Sequence, residues 1–153
     1  MRTGRFRGLH FLFLPLCLTI YLIAGFSFAQ RQTLWLDETT QLSGIPLGPV
    51  EVTRWLAGAP HDFGCPTAPD RMPPVSYWAG QLWVRGFGFS ELALRYMGVA
   101  CVAGAVALVY AAGRRAFGAV GGLAAGLYLA VSPAVLDKLV EIRAYPLYLL
   151  LGA

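Results

Sequence analysis

The sequence predicts an all-α integral membrane protein, a multi-span helical bundle whose long external first loop carries short interfacial helices. Three observations predict it. Hydrophobic residues make up 57% of the chain against 13% charged, a balance that suits a bilayer better than water. Long apolar runs recur at about 11–29, 92–112 and 116–136, each near the ~20 residues a helix needs to cross a hydrocarbon core. Between the first two lies a stretch of different character, 30–90, which holds most of the prolines and scattered charge. At 153 residues the length suits one domain. The net charge of +4 is not arranged as the basic stripe that nucleic acid requires, so no nucleic-acid partner is expected. Cys17, Cys65 and Cys101, with the isolated His10 and His61, give neither metal spacing nor a disulfide framework.

In chain order, Met1–His10 is a basic leader with Arg2, Arg5 and Arg7 and no acid, which places the N-terminus in the cytoplasm. The charge-free run 11–29 follows, with Pro15 tolerated or kinking it. Ser27-Phe28-Ala29 also resembles a signal-cleavage site, but the run is longer than an ordinary signal core and more apolar runs follow. A retained span is the preferred reading. Leu36-Asp37-Glu38 then sets two adjacent carboxylates just past the membrane exit, where charge is costly unless solvated or paired. They are either the return of the chain to water or a site.

Within 30–90, the pairs Ile45-Pro46, Gly48-Pro49 and Ala59-Pro60 punctuate the chain. Between them Val50–Ala57 suits a short helix with Val52, Trp55 and Leu56 on its apolar side. Trp55, Trp78 and Trp83 suit either the membrane interface or ordinary packing. After Met72-Pro73-Pro74, with Pro74 fit for a first helical turn, Val75–Phe87 reads as an aromatic-rich helix ended by Gly86 and Gly88. Ser90 is an N-cap for the next helix, and Glu91 with Arg95 has the i,i+4 spacing of a helix pair. Gly113-Arg114-Arg115 reads as a basic cytoplasmic turn. In the third run, Gly118, Gly122 and Gly126 form a small-residue stripe for close helix packing.

The segment 137–145 concentrates charge again. On a helix, Asp137, Glu141 and Tyr145 would share one face. The alternative is a solvated connector between spans. Tyr145–Ala153 opens a further apolar run of about nine residues, too short to cross, so the chain reads as the front of a longer protein. With the N-terminus inside, Asp37, Glu38 and Glu141 share the external side.

The order of these features is the informative part. Leu36-Asp37-Glu38, Pro73-Pro74-Val75-Ser76-Tyr77, Ser90-Glu91-Leu92-Ala93-Leu94-Arg95, Gly113-Arg114-Arg115, Ser132-Pro133 and Glu141-Ile142-Arg143-Ala144-Tyr145 succeed one another over about 34–151. Together they resemble the N-terminal part of a GT-C glycosyltransferase of the protein-mannosyltransferase and aminoarabinose-transferase type, glycosyltransferase family 39. The resemblance implies an integral enzyme of the bacterial inner (plasma) membrane, taking a sugar from a polyprenyl-phosphate donor to an acceptor on the external face. By the same resemblance Asp37 is the catalytic base, with Glu38 its neighbour in the catalytic pair. Glu141, Arg143 and Tyr145 bind substrate, with Arg143 suited to the donor phosphate and Glu141 to phosphate or a divalent metal ion. Many relatives have His where this chain has Met72, which leaves that position without an assigned role. The other class is a small membrane scaffold that uses its glycines for packing and its acids for solvation. A transporter would need charge near mid-membrane, which the runs do not show.

Overall fold

The computed structural model describes residues 9–63 and 70–153. The basic leader at Arg2, Arg5 and Arg7, and Cys65, lie outside the described residues. All regular structure among the described residues is helical: α1 Leu9–Ala29, α2 Leu36–Gly44, α3 Pro49–Leu56, α4 Val75–Phe87, α5 Glu91–Ala130, α6 Pro133–Asp137 and α7 Tyr145–Gly152. Among them, α5 is the stretch long and apolar enough to cross a membrane.

Helix α1 turns Tyr21, Gly25 and Ala29, four residues apart, toward α5. Gly25 fits there because it has no side chain, since a Cβ would lie 2.5 Å from Val99 Cγ2. The Tyr21 hydroxyl donates to the Ala130 carbonyl, which ties α1 to the far end of α5.

Helix α5 begins as expected, with Ser90 Oγ accepting from Ala93 N at 3.1 Å. The expected turn at Gly113-Arg114-Arg115 is not where the chain reverses. Those residues remain helical, and the break falls at Gly118, with φ 76° and ψ −171°, a conformation essentially reserved for glycine. Past it the helix folds back on itself, so that a Cβ at Gly122 would come 2.9 Å from the Tyr110 carbonyl oxygen. Gly118 is therefore the hinge rather than the first residue of a packing stripe, while Gly122 and Gly126 are buried. The returning limb, 119–130, is about 18 Å long at ~1.5 Å per residue and stops short of the expected end at 136.

The expected loop 30–90 holds three helices. Helix α4 has the bounds read from sequence, and α3 is shifted by one residue from 50–57. The sequence reading did not anticipate α2. Trp55 is a packing residue, buried with its ring edge-on to Tyr77 at 6.0 Å, whereas Trp78 is partly exposed, its indole N–H donating to the Pro49 carbonyl.

Two apolar clusters result. Tyr21, Ala29, Val99, Val102, Val106, Val135, Leu139 and Val140 join α1, α5, α6 and the segment after it. Ile45, Val52, Trp55, Tyr77, Leu94 and Ile142 join α2–α4 to the start of α5. The segment 139–142 contributes to both, so its backbone runs along their seam. Gly98 makes this approach feasible, since a Cβ there would lie 2.8 Å from the Leu139 carbonyl oxygen.

Candidate functional site

The seam between the two clusters is polar. Glu38, in the first turn of α2, and Arg95, in the second turn of α5, are both fully buried. Glu38 Oε1 accepts from Arg95 Nη1 at 3.2 Å and from the Ile142 amide at 2.8 Å. Glu38 Oε2 accepts from Arg95 Nη2 at 3.4 Å and from the Trp35 amide at 3.1 Å, the latter closing the N-terminus of α2. Arg95 also reaches Glu91 through Nε at 2.9 Å, and the Val140 carbonyl through Nη1 at 2.8 Å. A buried charge must be paired and hydrogen-bonded to be tolerated, and both members meet that condition. One ion pair thus pins α2, α5 and the 140–142 backbone together.

Consecutive helical residues point about 100° apart, so burying Glu38 turns Asp37 outward. The Asp37 side chain is 73% exposed. It lies in the first turn of α2, where the positive helix end favours a carboxylate. The adjacent acids therefore have different environments. One is consumed in the seam, and the other faces solvent.

Arg143 is the inner neighbour of Asp37. Its Nη1 donates to the Asp37 main-chain oxygen at 3.0 Å and to Asp70 Oδ2 at 3.1 Å, and its Nη2 lies 3.7 Å from Asp37 Oδ2. Asp70 Oδ2 also accepts from the Tyr77 hydroxyl at 2.8 Å. Burial foremost, and then the bond to Asp70, push the Tyr77 phenol well above its ordinary value, so the hydroxyl keeps its proton and remains a donor. Arg143 Nε is buried with no hydrogen-bond partner among the described residues.

Asp137, Glu141 and Tyr145 do not share a helix face as expected. Helix α6 ends at Asp137, the chain turns, and α7 begins at Tyr145. What gathers them is Lys138, whose Nζ lies 3.0 Å from Asp137 Oδ2, 3.0 Å from Glu141 Oε2 and 5.6 Å from the centre of the Tyr145 ring. The hydrogen bond to Glu141, then that to Asp137, raise the Lys138 pKa above 10.5. No group of three or more His, Cys, Asp or Glu side chains among the described residues could hold a metal ion. The Glu141 carboxylate already faces an ammonium, so these residues do not fit a divalent-ion site.

The structure thus joins Asp37 to Arg143 and Glu38 to Arg95, and gathers Glu141 and Tyr145 separately around Lys138. Sequence reasoning missed Arg95 as the partner of Glu38, together with the Tyr77–Asp70–Arg143 chain. An arginine within an apolar run was the available signal for the first, since such a charge requires a partner.

Residues 71–150, just over half the chain, match the family model described as dolichyl-phosphate-mannose-protein mannosyltransferase. No curated protein and no solved structure matches. The matched region includes Arg95, Glu141 and Arg143. Asp37 and Glu38 precede it and are bound to it by the ion pairs above.

Proposed function

The chain belongs to the dolichyl-phosphate-mannose-protein mannosyltransferase family, and from that premise we propose that it forms part of a multi-span membrane glycosyltransferase. The enzyme transfers a sugar from a polyprenyl-phosphate donor to an acceptor on the external face, with the N-terminus in the cytoplasm. Asp37 is the general base. It removes the proton from the acceptor hydroxyl or amine as that atom bonds to the anomeric carbon. The bond from that carbon to the phosphate oxygen breaks, and polyprenyl phosphate leaves with its electron pair. The leaving phosphate needs a cation beside it, and Arg143, next to Asp37, is the guanidinium suited to that role. Glu141 and Tyr145, with the intervening Lys138, line the donor side of the site. Glu38 is a positioning residue that turns Asp37 outward.

The observation carrying this reading is the contrast between neighbours: a fully buried, four-bonded Glu38 beside an exposed Asp37 held by Arg143. The test uses membranes from cells expressing the native coding sequence, with labelled dolichyl-phosphate-mannose as donor and envelope proteins as acceptor. Asp37→Asn removes the base while keeping the size of the side chain. It should lower transfer by at least about 10²-fold, at the low end of what a positioned base contributes. Full activity in that variant contradicts the assignment.

A further inference from the structure

We infer that Asp70, clamped by Tyr77, is a positioning residue that fixes Arg143 in the orientation from which it grips Asp37. The inference rests on the reading of Asp37 as the base, and it adds a residue that neither the sequence nor the family match assigns.

The groups form a continuous chain from rigid core to exposed carboxylate. Tyr77 is fully buried, edge-on to Trp55 and tight against Gly44, where a Cβ would lie 2.4 Å from Tyr77 Cε1. Its hydroxyl is therefore fixed in space. It holds Asp70 Oδ2 at 2.8 Å, and the same oxygen accepts from Arg143 Nη1 at 3.1 Å. Asp70 and Arg143 are nearly buried, at 8% and 7%, and the guanidinium ends on the Asp37 carbonyl and carboxylate.

Each link has a physical consequence. The Arg143 bond to the Asp37 carbonyl fixes the main chain at the start of α2. The flanking Nη2 limits where the carboxylate can swing. Without Asp70, Arg143 would be a buried cation whose remaining acidic neighbour is the exposed Asp37, and it would be free to turn toward that carboxylate and pair with it more closely. The base would then be occupied and misplaced. Displacement of about 1 Å in a catalytic group is enough to cost on the order of 10²-fold in rate.

The test uses the same membranes and donor. Asp70→Ala should lower kcat about 10²-fold, and Tyr77→Phe about 10-fold, because geometry at the base is lost, with any rise in donor KM accompanying the fall in kcat rather than replacing it. The double variant should be no slower than Asp70→Ala, since Tyr77 acts through Asp70. Hydrogen exchange over 35–44 should quicken in both single variants, whether or not the donor is turned over. If Asp70→Ala fails to accumulate, the milder Tyr77→Phe decides by the same readouts. Unchanged kcat and unchanged exchange overturn the clamp. A raised KM with unchanged kcat also overturns it, by assigning Asp70 to donor binding. An inactive Asp37→Asn beside a fully active Asp70→Ala refutes only the clamp. An active Asp37→Asn refutes the base itself, and the exchange data then stand alone as the measure of whether Asp70 orders α2.

Discussion

Removing the Glu38 carboxylate is the most informative perturbation of the fold. Glu38→Ala leaves the Arg95 guanidinium with Glu91, whose side chain is 43% exposed, as its remaining carboxylate. It also leaves the Ile142 and Trp35 amides without the acceptors they meet at 2.8 and 3.1 Å. Breaking one side of a buried ion pair costs about 3–5 kcal/mol, because the other charge stays buried without compensation. An orphaned buried amide alone costs about 1–3 kcal/mol, and these contributions overlap rather than add. The expected loss is therefore about 3–5 kcal/mol, a large share of the ~5–15 kcal/mol that typically holds a domain folded. Glu38→Gln should lose less, about 2–3 kcal/mol, since its amide oxygen can still accept from Ile142 while its NH2 group opposes the guanidinium. The double variant Glu38→Leu with Arg95→Met should recover most of the loss, because an apolar pair carries no desolvation penalty. Equilibrium unfolding of the purified protein in lipid nanodiscs, read by far-UV circular dichroism, measures all three. The reasoning fails if Glu38→Ala stays within about 1 kcal/mol of wild type, or if the double variant is no more stable than the singles.

Other positions give smaller and more local effects. Gly98→Val should cost about 1–3 kcal/mol by overpacking against the Leu139 carbonyl and should also reduce transfer, because the 139–143 backbone must move; unfolding and donor turnover check the two together. Gly118→Ala should cost about 1–3 kcal/mol at the hinge, where φ is 76°, with the seam intact and activity largely kept; the thermal midpoint and a transfer assay separate these effects. Lys138→Met should cost less than ~1 kcal/mol at neutral pH, since both Lys138 and Asp137 are well exposed. The Lys138 pKa is raised in the folded protein, so its contribution is complete below 10.5 and is lost as pH climbs through the higher folded value. Unfolding midpoints of wild type and Lys138→Met should therefore differ at pH 7 and converge well above pH 10.5.

What the sequence made legible was local. Helix α4 is bounded by Pro74 and Gly88, and its extent could be read from them. Ser90 capped α5 as expected, and the Glu91–Arg95 pair formed at its predicted spacing. The features that build the site are remote in sequence. Arg95 and Glu38 are 57 residues apart and Arg143 and Asp70 are 73 apart, separations for which no helical or strand periodicity supplies a signal. Helix α2 was hidden for a different reason. Thr39, Thr40 and Ser43 are poor helix formers, and their hydroxyls bond back to the Leu36 and Thr39 carbonyls. The helix is held instead by burial of Glu38, Gln41 and Gly44, which is a tertiary effect. Gly118 illustrates an ambiguity in the pattern itself, because glycines four apart suit both a packing stripe and a hinge. The charges at 137–141 likewise suited a helix face, yet Lys138 collects them across a turn.

The most direct test of the central claim compares Asp37→Asn with Glu38→Gln in one experiment, reading mannose transfer from labelled dolichyl-phosphate-mannose alongside unfolding stability. The account predicts a folded, inactive Asp37→Asn protein and a destabilised Glu38→Gln protein whose folded fraction retains part of its turnover. The opposite pattern, with Asp37→Asn active and Glu38→Gln stable but inactive, would move the chemistry to the buried carboxylate and contradict the division of roles.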